Sequence, residues 1–173
     1  MTNEVVLVNE FDEPIGVMEK LEAHQKGMLH RAFSVFILNS NNEVLLHQRA
    51  KNKYHGAGLW TNACCSHPAF GEDTQESAQR RLMEEMGMDC DLEKLFHFTY
   101  NAQVENGLTE HEFDHVFIGY SDSIPYPDST EVENWKWVNI PNLLKDVKHS
   151  PEQYTSWFKI ALPLVLENIE INA

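Results

Sequence analysis

Apolar positions along this chain fall into short alternating or continuous blocks, and their spacing separates strands from helices. VVLVN over residues 5–9 and HRAFSVFIL over residues 30–38 are rich in β-branched and aromatic side chains and predict strands. NSNN at residues 39–42 is turn material, and EVLLHQR over residues 43–49 predicts the returning strand. GLWTNAC over residues 58–64 predicts a short strand that enters the loop HPAFGED. Asp73, with Glu76 three residues on, has the arrangement of a helix start. Ala78, Leu82 and Met86 then recur every four residues as a buried stripe, and Gly87 is a natural stop. KLFHFTYNAQ over residues 94–103 and TEHEFDHVFIGY over residues 109–120 flank Asn106-Gly107, a strong hairpin signal. ENWKWVNI over residues 133–140 predicts a further strand. Helices are predicted over residues 141–147 and 151–169, with Pro163 kinking or dividing the last. Strands dominate the middle, and helices come once in the centre and again at the end. The expected class is α+β, a mixed sheet with helices on both faces.

Composition narrows this picture. No repeat, low-complexity stretch or linker interrupts the 173 residues, so one domain spanning 1–173 is expected. The net charge of −14 argues against a nucleic-acid partner, because phosphate backbones would be repelled, but it allows a local basic pocket for a small anion. MTNEVVLVNEFDE lacks a basic region followed by an apolar run, and no stretch approaches the roughly 18 apolar residues of a membrane span. A cytoplasmic chain without a membrane partner is therefore expected. Its three cysteines, an odd number, are expected as reduced thiols, and a bridge between adjacent Cys64 and Cys65 would be strained.

Several clusters carry candidate chemistry. TNACCSHP, residues 61–68, sets two cysteines two residues before His67, a spacing that matches no compact zinc site. RRLMEEMG places Arg80, Arg81, Glu84 and Glu85 on two turns of helix, with Arg81 and Glu85 on one face. Glu110 and Glu112 are two apart and share one side of a strand, with His111 and His115 on the other. His24 and His30, six apart, cannot share a helical face; they converge if the segment is loop leading into strand.

Glu72, seven residues, Arg80, Leu82, Glu84-Glu85 and Gly87-Met88 together resemble the Nudix box, whose usual form is G-x5-E-x7-R-E-U-x-E-E-x-G-U with U bulky and aliphatic. Here Ser66 stands at the first glycine and Arg81 stands at the first glutamate of the helical cluster. The resemblance implies a Nudix-type α/β/α sandwich with a mixed central sheet and a diphosphate-plus-metal site at this helix. Arginine in place of a carboxylate removes a metal ligand and adds a bidentate clamp for phosphate oxygens. Diphosphate binding should survive the change, while metal-assisted hydrolysis should suffer.

With EAH…LHRAFS, TNACCSHP, HFTYNA, TEHE and the late SW of YTSWFK added, nearly the whole chain resembles the type I isopentenyl diphosphate isomerases, a Nudix branch. The resemblance implies interconversion of isopentenyl and dimethylallyl diphosphate, in isoprenoid precursor synthesis. It implies His24, His30, His67, Glu110 and Glu112 as ligands of a divalent metal, a set that suits Zn, Mn, Co or Fe and tolerates Mg. It makes Cys65 an acid–base residue facing Glu112 across the substrate, with Cys64 turned towards packing. Tyr100 supports the acid–base site and Trp157 lines the pocket. Glu85 holds a second divalent ion, Mg, that bridges to the diphosphate, and Lys20, Arg49, Lys53 and Arg81 bind that diphosphate. Cys90, between two aspartates, is read as a surface or packing residue. A monomer or weak homodimer is expected. Two competing readings are a Nudix hydrolase, which would favour glutamate at position 81, and a zinc-stabilised binding module, which leaves Cys65, Tyr100 and the basic set idle.

Overall fold

A computed structural model describes residues 3–53 and 55–169. Chain order is β1 (Glu4–Val8), β2 (Pro14–Glu19), α1 (Lys20–Lys26), β3 (His30–Leu38), β4 (Glu43–Arg49), β5 (Trp60–Thr61), β6 (Cys64–Ser66), α2 (Thr74–Met86), β7 (Leu92–Gln103), β8 (Thr109–Tyr120), β9 (Val132–Asn139), α3 (Ile140–His149) and α4 (Ser156–Asn168). The strands form one nine-stranded mixed sheet. Its spine is β3, whose residues are apolar on both faces because both faces are covered. Phe33, Val35 and Ile37 pack with Ala78, Leu82 and Met86 of α2 on one side. Phe36 and Leu38 pack with Trp157, Phe158 and Leu162 of α4 on the other. The expected sandwich is therefore present, and its two cores sit on either side of one strand.

At Ser34, β3 pairs with Cys65 on one edge and with Val116 on the other. Strand β6 is antiparallel to β3 and β8 is parallel to it, running from His30↔Glu112 to Leu38↔Tyr120. Tyr100 on β7 lies opposite Glu112 in turn. These registers bring distant stretches of sequence to one end of the spine.

Three expectations about elements are corrected. Residues 58–64 do not form one strand: the buried amide of Asn62 donates to Val35 O (3.0 Å) and Cys64 O (2.8 Å). That breaks the ladder, so β5 pairs with β4 while β6 pairs with β3. The stretch before His30 is not loop but α1, capped by the Glu19 side chain and closed by Gly27 at φ 66°. At seven residues it is too short for periodicity to reveal. Strand β2 was also hidden: it is a short edge strand that buries no face, and its Ile15 and Val17 stay exposed. The last helix begins at Ser156 rather than 151, after a 3-10 turn, and runs unbroken through Pro163. Among the described residues no helix is long and apolar enough to cross a membrane.

Candidate active site

His30 and Glu112 are register partners across β3 and β8. His24 comes from α1, and His67 lies just beyond β6 on the face that Cys65 presents. One ligand atom from each of these four residues lies within 4.8 Å of the others. His24 Nδ1 is 2.7 Å from Lys20 O, and His30 Nδ1 is 2.9 Å from Met28 O. A carbonyl only accepts, so both rings carry a proton on Nδ1 and turn Nε2 inward. Yet His30 Nε2 and His67 Nε2 sit 3.0 and 2.9 Å from the same oxygen, Glu112 Oε2. For His30, an unprotonated Nε2 facing a carboxylate oxygen requires a cation between them, either a further proton or a metal ion. Burial pushes the His67 imidazole down to about 4, which disfavours a charged ring there. The donor set fits a divalent ion, with the backbone carbonyls fixing two of the tautomers.

Glu110 stands apart from those four. Its Oε2 is 3.1 Å from the Tyr100 hydroxyl and 3.8 Å from His55 Nε2. Burial and the charge of Glu112 push its carboxyl up to about 8. Glu112 goes the other way: burial would raise it, but the His30 and His67 hydrogen bonds hold it well below the carboxylate range. The Tyr100 hydroxyl reaches Glu112 Oε1 at 2.5 Å. Two carboxyls two residues apart are thus pushed in opposite directions.

Cys65 lines the cavity with Glu112, Trp157 and His67, and its burial pushes the thiol well above the usual range. It remains protonated at neutral pH. Trp157 is held by its indole N–H, which donates to Asn62 Oδ1 at 3.2 Å, and the Arg49 guanidinium carbon lies 5.4 Å from its ring centroid. Asn62, His47, His55 and Glu131 belong to this region although the sequence did not single them out. For Asn62 a signal existed: an amide in an apolar run needs partners of its own.

The cavity has a volume of about 470 Å³, and Lys20, Arg49, Lys53 and Arg81 all line it. The Nε atoms of Arg49 and Arg81 are buried without an acceptor among the described residues, as donors awaiting an anion would be. Burial, then the charges of Lys53 and Arg49, push the Lys20 ammonium below its ordinary value. Arg81 forks onto Glu84 (2.7 Å) and Glu85 (3.2 Å), while Lys53 pairs with Glu131. Cys64 does pack in the core under α2, but its thiol also donates to Glu85 Oε2 at 3.3 Å. Its expected role as a packing residue is therefore incomplete. Cys90 packs partly buried against the same core.

Comparison with known proteins bears on the family and the fold. The NUDIX domain matches residues 28–158. The Isopentenyl-diphosphate Delta-isomerase of Pectobacterium atrosepticum is 52% identical over 157 residues, which is 91% of this chain and 88% of that one. The Isopentenyl-diphosphate Delta-isomerase 2 of Aromatoleum aromaticum is 45% identical over 172 residues, covering 99% of this chain and 91% of that one. Among solved structures, a protein from Deinococcus radiodurans superposes with a TM-score of 0.75 at 19% identity, covering 96% of this chain and 99% of that one. A MutT protein from Methanosarcina mazei gives 0.67 at 19% identity, covering 82% and 96%.

Proposed function

The chain belongs to the NUDIX domain family and, within it, to the isopentenyl-diphosphate Delta-isomerases; on that footing we propose how its residues interconvert isopentenyl and dimethylallyl diphosphate. The observation that carries the reading is that Cys65 and Glu112 rise from strands on opposite edges of β3 into one cavity that Lys20, Arg49, Lys53 and Arg81 also line.

An unactivated alkene is a poor base, so its protonation needs a dry pocket and a placed acid. The Cys65 thiol, protonated at neutral pH, gives its proton to the terminal methylene carbon of isopentenyl diphosphate. Positive charge then develops at the tertiary carbon beside the Trp157 ring, whose face stabilises a cation by about 2 kcal/mol when desolvated. The ionised Glu112 takes a proton from the carbon nearer the diphosphate, and the double bond shifts by one position. Tyr100 orients Glu112 through its hydrogen bond. A divalent ion held by His24, His30, His67 and Glu112 would fix that carboxylate and tune its proton affinity. Glu110 is the further carboxyl the family resemblance adds to this set. Magnesium at Glu85 would offset diphosphate charge, and Lys20, Arg49, Lys53 and Arg81 grip the phosphate oxygens. Three free thiols support a reducing compartment such as the cytoplasm.

Arg81 is what separates this site from a hydrolase. Incubation with isopentenyl diphosphate and Mg should give dimethylallyl diphosphate without free phosphate; release of phosphate with no isomer would sink the reading.

A further inference from the structure

Glu131 is a carboxylate in the cavity whose basic side chains are assigned to the diphosphate. It lies just before β9 with its side chain 30% exposed, and it lines the same cavity as Lys20, Arg49, Lys53, Arg81 and Glu85. Its backbone is fixed on both sides. Ala50 N–H donates to Glu131 O at 3.1 Å, which ties it to the loop bearing Lys53. Asp128 O accepts from Glu131 N–H at 3.0 Å, while Asp128 N–H donates to Glu85 O at 2.8 Å, which ties it to the end of α2. The carboxylate clasps Lys53, and the two Asp128 hydrogen bonds hold its backbone beside the end of α2 that carries Glu85 into the same cavity.

Two cations assigned to the diphosphate are thus already engaged by carboxylates: Arg81 by Glu84 and Glu85, and Lys53 by Glu131. A diphosphate that enters must take these cations for itself. Glu85 and Glu131 are then left facing a polyanion, which is unfavourable unless another cation sits between them. We propose that Glu131 is, with Glu85, a second carboxylate for the divalent ion that accompanies the diphosphate, exchanging Lys53 for that ion when substrate binds. The proposal rests on the diphosphate reading above and adds a residue and a partner exchange to it. One consequence follows from charge alone: without the divalent ion Glu131 opposes diphosphate binding, and with it Glu131 favours binding.

Calorimetric titration of inorganic pyrophosphate into protein whose histidine site is preloaded with zinc tests this, with and without saturating Mg. Wild type, Glu131→Gln, Lys53→Gln and the double variant are compared, with thermal melts to confirm folding of these partly exposed positions. Glu131→Gln should bind metal-free pyrophosphate at least as tightly as wild type, yet lose about tenfold or more of the tightening that Mg confers, as expected when a group serving a metal is removed. The same loss should persist in the Lys53→Gln background. Should it vanish there, or should Glu131→Gln keep the wild-type Mg effect, Glu131 is only a counter-ion to Lys53 and the inference fails. Wild-type binding that Mg does not tighten also overturns it. No pyrophosphate binding by wild type under either condition overturns the diphosphate reading instead.

Discussion

At the scale of single residues, Cys64 and Cys65 show how one peptide bond separates two chemistries. Adjacent side chains on a strand point to opposite faces, so Cys65 meets the cavity while Cys64 enters the core beneath α2. Cys65→Ala should lower turnover by about a hundredfold to ten-thousandfold, the usual contribution of a placed acid–base group. Cys65→Ser should keep substrate binding with low residual turnover, because a hydroxyl holds its proton more tightly than a thiol. Cys64→Ala should stay within a few-fold in turnover; steady-state kinetics that find it the dead variant would reverse the assignment. A second pair, Glu110 and Glu112, differs just as sharply. His67→Asn should lose metal affinity strongly, whereas Glu110→Gln should retain more of it, since Glu110 lies outside the four convergent ligands and its carboxyl is already pushed towards neutrality. Elemental analysis after dialysis decides: equal loss in both variants makes Glu110 a fifth ligand.

At the scale of elements, α2 carries both stability and substrate contact. It starts with Asp73 accepting from Glu76 N–H and ends at Gly87, whose φ is 63°. A Cβ at Gly87 would lie 2.5 Å from Tyr126 O, in the segment that Met86 O receives through Tyr126 N–H. Gly87→Ala adds a left-handed strain to a backbone clash, so a loss of about 1–3 kcal/mol in urea unfolding is expected. A midpoint unchanged from wild type would mean that this junction yields freely. On the cavity side of the same helix, Arg81→Glu replaces a phosphate clamp with a repelling charge. Its Michaelis constant for isopentenyl diphosphate should rise, and a constant equal to wild type would remove Arg81 from the binding site.

At the scale of the whole molecule, folding buries histidines as neutral rings. Burial pushes His47, His67 and His115 to about 4 and His55 to about 3. The unfolded chain takes those protons near 6.5, so each such ring contributes stability that is complete above that pH and lost as pH falls towards 4. Glu110, raised to about 8, has the opposite sign: its contribution is present below the ordinary carboxylate value and lost as pH rises through 8. Because these slopes oppose one another, a single group is best isolated by difference. The stability of wild type minus that of His47→Gln should be constant above pH 6.5 and fall by on the order of 3 kcal/mol down to pH 4. A flat difference in denaturant melts would mean that His47, whose Nδ1 meets Ala63 O at 3.0 Å, takes up its proton without cost.

What the sequence settled by itself is whatever a short window can encode. The β-branched and aromatic runs of β3 and β8, the Asp73 cap, the Gly87 stop and the Ala78–Leu82–Met86 stripe are local, because each is written within its own element. The residue types of the site were legible for the same reason, through motifs of fixed spacing: Arg81 with Glu85, Glu110 with Glu112, Cys65 with His67. Elements without periodicity stayed hidden, α1 through its length and β2 through its exposure. Tertiary structure alone decided which of those side chains meet. That His30 faces Glu112, that Cys64 touches Glu85 rather than only apolar neighbours, that Glu110 meets Tyr100 and His55 and that Glu131 clasps Lys53 all depend on sheet register and on a loop docked against the end of a helix. Such distances arise between residues tens of positions apart, and no local pattern carries them.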